Sequence, residues 1–309
     1  MDLGTTAQLV LSGIISGTLM GALGLGLALI LGVTGRFHFA YGLTFTGGAY
    51  TAALLVRDLA VPPWLALVAA SVAAAAIGLA IELFIYRPLD RGGAKKSLLP
   101  VFVSSLGLTI IGTNLISLLW AGSSPSIAFP LMGASTMHFG SVYITALDLT
   151  VTMGLLALVA LLSIIRSATP WGHAVRAVQS NVVMAQTVGI RPSLVAAGAF
   201  AVGSAISGLV GAFTAADLAA SPTMGVQPLF SAFIVAFLAG TTSPPWKVLL
   251  AGIALGLLQT LSSLWIPTQY TSIVVFAVLF VFLVARAIAT YPFVHALRAT
   301  RRVRFAGGN

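Results

Sequence analysis

The sequence has no cysteine, which excludes disulfides, thiol catalysis and cysteine-ligated metals. Acidic residues number only six and are scattered, so no carboxylate cluster offers a metal site. The four histidines, at 38, 138, 173 and 295, are not spaced as metal ligands. With no paired acid and base along the chain, neither catalytic nor metal-binding residues are assigned. A GxxxxGK(S/T) nucleotide loop is also missing. The nearest stretch, "RGGAKKS", lacks the spacing and lies between apolar runs rather than after a strand. Charge of either sign is scarce: 7% of the 309 residues, against about 25% in a soluble domain.

What fills the chain instead is apolar. Hydrophobic residues make up 59%, and mean hydropathy is +1.06. Such a chain cannot cover a water-facing surface of its own size. It is expected to be all-α, a polytopic transmembrane helical bundle. The net charge of +9 does not indicate nucleic acid, because Lys and Arg fall mostly in short blocks between or after apolar runs. The N-terminus "MDLGTTAQLV" lacks the basic region of a signal peptide and runs straight into a span, so that segment is expected to be retained.

A span needs about 20 predominantly apolar residues. Candidates are 8–32, 40–56, 63–86, 98–120, 144–166, 193–217, 226–241, 246–265 and 269–288. The second and seventh are short enough to be broken or half helices, so eight to nine crossings are expected. Basic loops set the orientation. "YRPLDRGGAKKS", the loop from Arg166 to Arg191 and the tail 289–309 are placed in the cytoplasm. Loops 121–143, 218–225 and 265–270, without Lys or Arg, are placed outside. The N-terminus lies outside if 40–56 crosses, and inside if that piece is re-entrant. The external loop 121–143 has the Ser, Pro and Gly content of a small hairpin or cap. Glu82, Asp148 and Asp217 lie near span ends, where snorkelling or water access lowers their cost.

The cytoplasmic stretch 167–192, "SATPWGHAVRAVQSNVVMAQTVGIRP", is too polar to span and too patterned to be a loose link. Pro170 suits a helix start and Gly189 a stop. Ala174, Val178, Val182, Ala185 and Val188 recur at three- and four-residue spacing, so one or two short helices are expected there. A helix resting on lipid headgroups favours many basic residues, and this stretch offers only Arg176 near its middle. Docking on another protein fits better.

Between the first two apolar runs stands "TGRFHFAYGLTFTGGAY". Gly35, Gly42, Gly47 and Gly48 let the backbone leave a regular helix. Irregular backbone at membrane depth is tolerated only where protein or a water-filled cavity surrounds it. The residues alone leave two alternatives open: a break lining a pathway, or an ordinary cytoplasmic turn with Arg36 on the positive side. A similar run of apolar span, break and short span ending in small residues occurs at 13–50 and again at 203–240. Matching interrupted segments point to a pathway near a repeat interface.

Four segments in order now resemble a known family: "VTGRFHFAYGLTFTGGAY", "YRPLDRGGAKKSLLPVFVSSLGLTIIGTN", "WGHAVRAVQSNVVMAQTVGI" and "FIVAFLAGTTSPPWKVLLAGIALGLLQ". Together they resemble the LivH-type permease subunits of branched-chain or hydrophobic amino acid ABC importers. The resemblance implies a permease in the bacterial cytoplasmic (inner) membrane. Its partners would be a second, LivM-like permease, two cytosolic ATPases and a periplasmic or lipid-anchored substrate-binding protein. No cofactor is implied in this chain; ATP and Mg belong to the ATPases.

The resemblance also implies site residues. The loop 167–192 is similar to the coupling helix that meets the ATPase, with His173, Arg176, Gln179, Asn181 and Gly189 as coupling residues. The break becomes a translocation gate, with Phe37, His38, Phe39, Tyr41 and Gly42. The chain departs from the family's N-F-A-H-G-E by reading His38-Phe39-Ala40-Tyr41-Gly42-Leu43, and from its acidic loop centre by reading Gln179-Ser180-Asn181. A more aromatic, less acidic gate follows, and amides, urea or aromatic acids join the amino acids as substrates to consider. A stand-alone secondary transporter or channel is the alternative, although no carboxylate relay crosses the spans.

Overall fold

The computed structural model describes residues 3–91, 98–120, 136–139 and 142–267, with scattered positions between 270 and 288. Helix α1 (Leu3–Thr34) is followed by the break at 35–40 and by α2 (Tyr41–Leu59). Helix α3 (Pro63–Ile81) runs through a π-helical turn, Glu82–Tyr86, into α4 (Arg87–Arg91). Then come α5 (Leu98–Leu119), a hairpin of β1 (Thr136–Phe139) and β2 (Val142–Thr145), and α6 (Ala146–Ala168). Two short helices, α7 (Pro170–Ser180) and α8 (Val182–Thr187), lead to α9 (Pro192–Leu218), α10 (Val226–Ala239) and α11 (Pro245–Ser262).

Helix starts follow simple chemistry. Four helices open on proline, at Pro63, Pro170, Pro192 and Pro245, where the missing N–H is no loss. Helix α6 opens on a capping box in which the Asp148 N–H donates to Thr145 Oγ1 and its carboxylate accepts in return.

Among the described residues six helices are long and apolar enough to cross a membrane: 4–34, 63–89, 99–119, 146–168, 192–218 and 245–262. The expected all-α bundle is therefore observed, with one antiparallel hairpin added, Thr136 facing Thr145. The count of eight to nine crossings is not reached among the described residues. At 14 residues α10 is about 21 Å long, against a hydrocarbon core of about 30 Å. Helix α2, at 19 residues, is diluted by threonines and by Arg57 and Asp58. The predicted span 269–288 falls largely, and the basic tail 289–309 wholly, outside the described residues, as do 92–97 of the first basic loop and 121–135 of the external one.

The core is built crosswise from two triplets. Helix α1 packs along α11, and α9 packs along α3; α2 lies against α9 as α10 lies against α1. The crossings use small residues. Gly17 and Gly21 of α1 meet Gly252 and its neighbours on α11, while Gly208 of α9 meets Ala70 and Ala74 of α3. In each case the backbones are close enough that an added Cβ would overlap the partner, as in membrane helix pairs generally. Sequence repeats this order. Pro62-Pro63-Trp64 opens α3 and Pro244-Pro245-Trp246 opens α11, and Ala70 and Ala74 follow the first as Gly252 and Gly256 follow the second. The symmetry read at 13–50 and 203–240 thus extends to a third helix in each half.

Helices α5 and α6 stand at the periphery, each only 17% buried along its apolar window. Their exposed Ile110, Ile111, Leu115, Leu118, Met153, Leu161 and Ile164 suit lipid or another apolar surface, not water.

Candidate functional site

The break between α1 and α2 is fixed by contacts on every side. Gly35 takes φ +67°, a left-handed value that favours glycine, and its N–H donates to the Leu31 carbonyl. The chain then turns into the core. Arg36 Nη1 meets Glu82 Oε2 at 2.8 Å, with side-chain exposures of 15% and 3%. His38 is fully buried, and its Nδ1 lies 2.9 Å from the Tyr86 hydroxyl. Both partners lie on the π turn, at its first and last residues. A π turn is rare and frequent at functional sites; here it holds two successive anchors for the break.

Around the anchors lies an aromatic cage. Phe37 sits near Phe233 and Phe237, Phe39 meets Phe102 edge-on at 5.1 Å and lies tilted against Phe233 at 5.0 Å, and His38 meets Phe200 edge-on at 4.9 Å. The Tyr41 hydroxyl donates to the Leu23 carbonyl of α1, and Ser207 of α9 donates to the Tyr41 carbonyl. Gly42 touches the backbone of Gly225, so the starts of α2 and α10 meet. All five predicted gate residues therefore converge where the two interrupted segments of the repeat touch. His38 Nε2 is buried there without a partner.

Sequence reasoning missed the partners Glu82, Tyr86, Phe102, Phe200 and Phe233. Glu82 was placed near a span end, open to snorkelling; it is instead 2% exposed and ion-paired. A lone carboxylate a few residues inside an apolar run, with a lone arginine in the neighbouring break, was the available signal.

The second region is the pair of short helices α7 and α8. Thr169 caps α7, accepting from the Gly172 N–H at 3.1 Å. Asn181 ends α7 and caps α8, its Oδ1 accepting from the N–H groups of Val183 and Met184. Gly189, at φ +84°, turns the chain toward α9. The buried stripe is Val175, Val178 and Ala185. Val182 and Val188, expected on that stripe, are exposed instead, because the kink at Asn181 rotates α8 relative to α7. The residues expected to couple to an ATPase divide in the same way. His173 and Arg176 face outward. Asn181 and Gly189 shape the turn, and the Gln179 amide turns inward against Gly32 of α1.

Among the described residues no group of three His, Cys, Asp or Glu could hold a metal. What the fold presents is a bundle of apolar helices with an aromatic-lined break between α1 and α2 and a structured loop of two short helices. Residues 9–283 match the family described as "Branched-chain amino acid transport system / permease component". The chain belongs to this family.

The permease is 28% identical over 288 residues to the high-affinity branched-chain amino acid transport system permease protein LivH of Salmonella typhimurium, covering 88% of this chain and 91% of the relative. The Escherichia coli K12 protein of the same name is 28% identical over 287 residues, with the same coverage. The protein BraD of Pseudomonas aeruginosa, described in the same words, is 26% identical over 293 residues, 90% of this chain and 93% of the relative. No solved structure matches. This permease is thus a transport protein rather than an enzyme, and a multi-pass protein of the inner membrane.

Proposed function

We propose that this permease is one membrane subunit of an ATP-driven importer for branched-chain or other hydrophobic amino acids, or for related small amphipathic solutes. An external binding protein, periplasmic or lipid-anchored, delivers the solute. A LivM-like second permease completes the pathway. Two cytosolic ATPases, with their ATP and Mg, supply the movement. Eight or nine crossings complete the bundle once α2, α10 and the segment 269–288 are counted.

The observation that carries the reading is the loop formed by α7 and α8. Its inner face is anchored on α1 and α9 by Val175, Val178 and Ala185. Its outer face presents Val183, Met184 and Val188 at 68%, 63% and 74% exposure on the side that charge places in the cytoplasm. Apolar side chains so exposed, flanked by His173 and Arg176, fit a groove on another protein better than water. An ATPase seated there moves α7 and α8 as one rigid piece, and α1 carries the movement to the break at Phe37, His38, Phe39, Tyr41 and Gly42. Reconstitution tests this directly. Uptake into liposomes should require the ATPases and ATP; uptake by the permease pair without any ATPase overturns the reading.

A further inference from the structure

Helix α1 is one connection between the loop helices and the break. A second, polar connection runs through Arg87. It starts at α8, where Gly189 turns the chain and the Ile190 N–H donates back to the Ala185 carbonyl at 3.0 Å. Ala185 shares one apolar cluster with Val175 and Val178 of α7 and with Val195, Ala196 and Ala199 of α9. The first turns of α9 are thus packed onto α7 and α8. Ser193 is the second residue of α9, and Arg87 Nη2 donates to its carbonyl at 2.9 Å. Nε of the same guanidinium is buried, so the group is packed against the protein rather than free in solvent.

The backbone of Arg87 closes the π turn. Its N–H donates to the Glu82 carbonyl, five residues back. The next residue explains why the turn is wide. Pro88 has no N–H, and its ring crowds the carbonyl four residues back, so a tight α turn is disfavoured just ahead of it. The π turn in turn carries both polar anchors of the break: Glu82 holds Arg36 at 2.8 Å, and Tyr86 holds His38 at 2.9 Å. One residue therefore grips α9 with its side chain and the anchoring segment with its backbone. Adjacency alone does not transmit movement; an element with two arrangements is required.

We propose that Arg87 is a positioning residue that couples the loop helices to the break, by fastening the start of α9 to the π turn. The π turn is the element with two arrangements. When α9 shifts, Arg87 is drawn with it, and its N–H passes from the Glu82 carbonyl to the Leu83 carbonyl. The π turn becomes an α turn, Glu82 and Tyr86 swing relative to one another, and Arg36 and His38 follow. That an ATPase drives the shift rests on the function proposed above; the bonds around Arg87 do not.

The coupling ratio of the assembled transporter tests this. Liposomes holding the permease pair, the ATPases and the binding protein are assayed for solute uptake and ATP hydrolysis in one sample, with whichever of leucine, urea and benzoate the wild type takes up. Arg87→Ala should lower uptake per ATP hydrolysed about tenfold or more, while hydrolysis continues. A merely structural loss reduces the amount of assembled complex and both rates together, and leaves the ratio unmoved. Pro88→Ala, at an exposed position, supplies an N–H and favours the α turn, so it should lower the same ratio. A ratio within about threefold of wild type in either assembled variant overturns the proposal. Wild-type uptake without any ATPase refutes the importer reading and the coupling role together. ATP-driven wild-type uptake with an unchanged ratio in the variants refutes the role of Arg87 alone.

Discussion

The ion pair between Arg36 and Glu82 gives the sharpest test of how the break is held. The two groups are 2.8 Å apart and nearly out of solvent, at 15% and 3% exposure. Removing one partner of a buried pair strands the other charge and costs about 3–5 kcal/mol. Arg36→Ala leaves the Glu82 carboxylate stranded in the core. For a protein of this size that should lower the melting temperature of the purified complex by roughly 6–20 °C. Replacing both groups with leucine removes both charges, which is commonly neutral or stabilising. The double variant Arg36→Leu/Glu82→Leu should therefore recover most of the stability. It should not recover full uptake, because the break loses one of its two attachments to the π turn. Thermal unfolding followed by size-exclusion fluorescence reads the first quantity, and binding-protein-dependent uptake reads the second. If Arg36→Ala and Glu82→Ala each stay within about 1 kcal/mol of wild type, a buried pair does not exist and the reasoning fails.

Other predictions concern single sites. His38→Ala leaves the Tyr86 hydroxyl without its buried partner, at about 1–3 kcal/mol, and should slow uptake; unchanged uptake in both His38→Ala and Tyr41→Ala would mean that the break is only a turn. Asn181→Ala removes the α8 cap, at about 0.5–2 kcal/mol, and should raise amide exchange at 183–187 and reduce uptake per ATP hydrolysed; Asn181→Ser should restore both. Met184→Asp should release the ATPase during purification while leaving the permease folded, because the side chain is exposed. Gly48→Ala drives a Cβ into the Gly208 backbone and should cost about 1–3 kcal/mol, whereas Gly107→Ala, with nothing within 4 Å, should be harmless.

Much of the bundle was legible because lipid allows so few solutions. Long apolar runs had to be helices. Capping and turn chemistry marked α7 and α8 through Pro170 and Gly189. The local break at Gly35 was also visible. What remained hidden depends on partners distant in sequence. No local pattern distinguishes a π turn from the α-helix it interrupts, so Glu82 and Tyr86 could not be paired with Arg36 and His38. The kink at Asn181 carried Val182 and Val188 off the buried stripe, although their spacing continued the helical period of α7. Gln179 matched the polar face by spacing, yet a glycine on α1 lets its amide turn inward. The repeated Pro-Pro-Trp was readable but easily missed, since the two copies share little else in letters.

In the proposed importer this permease moves solute only when an ATPase acts through α7 and α8. The most direct test is solute uptake by liposomes holding the permease pair and binding protein, measured with the ATPases, without them, and with Met184→Asp in the loop. Uptake that needs ATP and ATPase, and that falls with Met184→Asp, is the predicted result. Uptake that persists without the ATPase would contradict it.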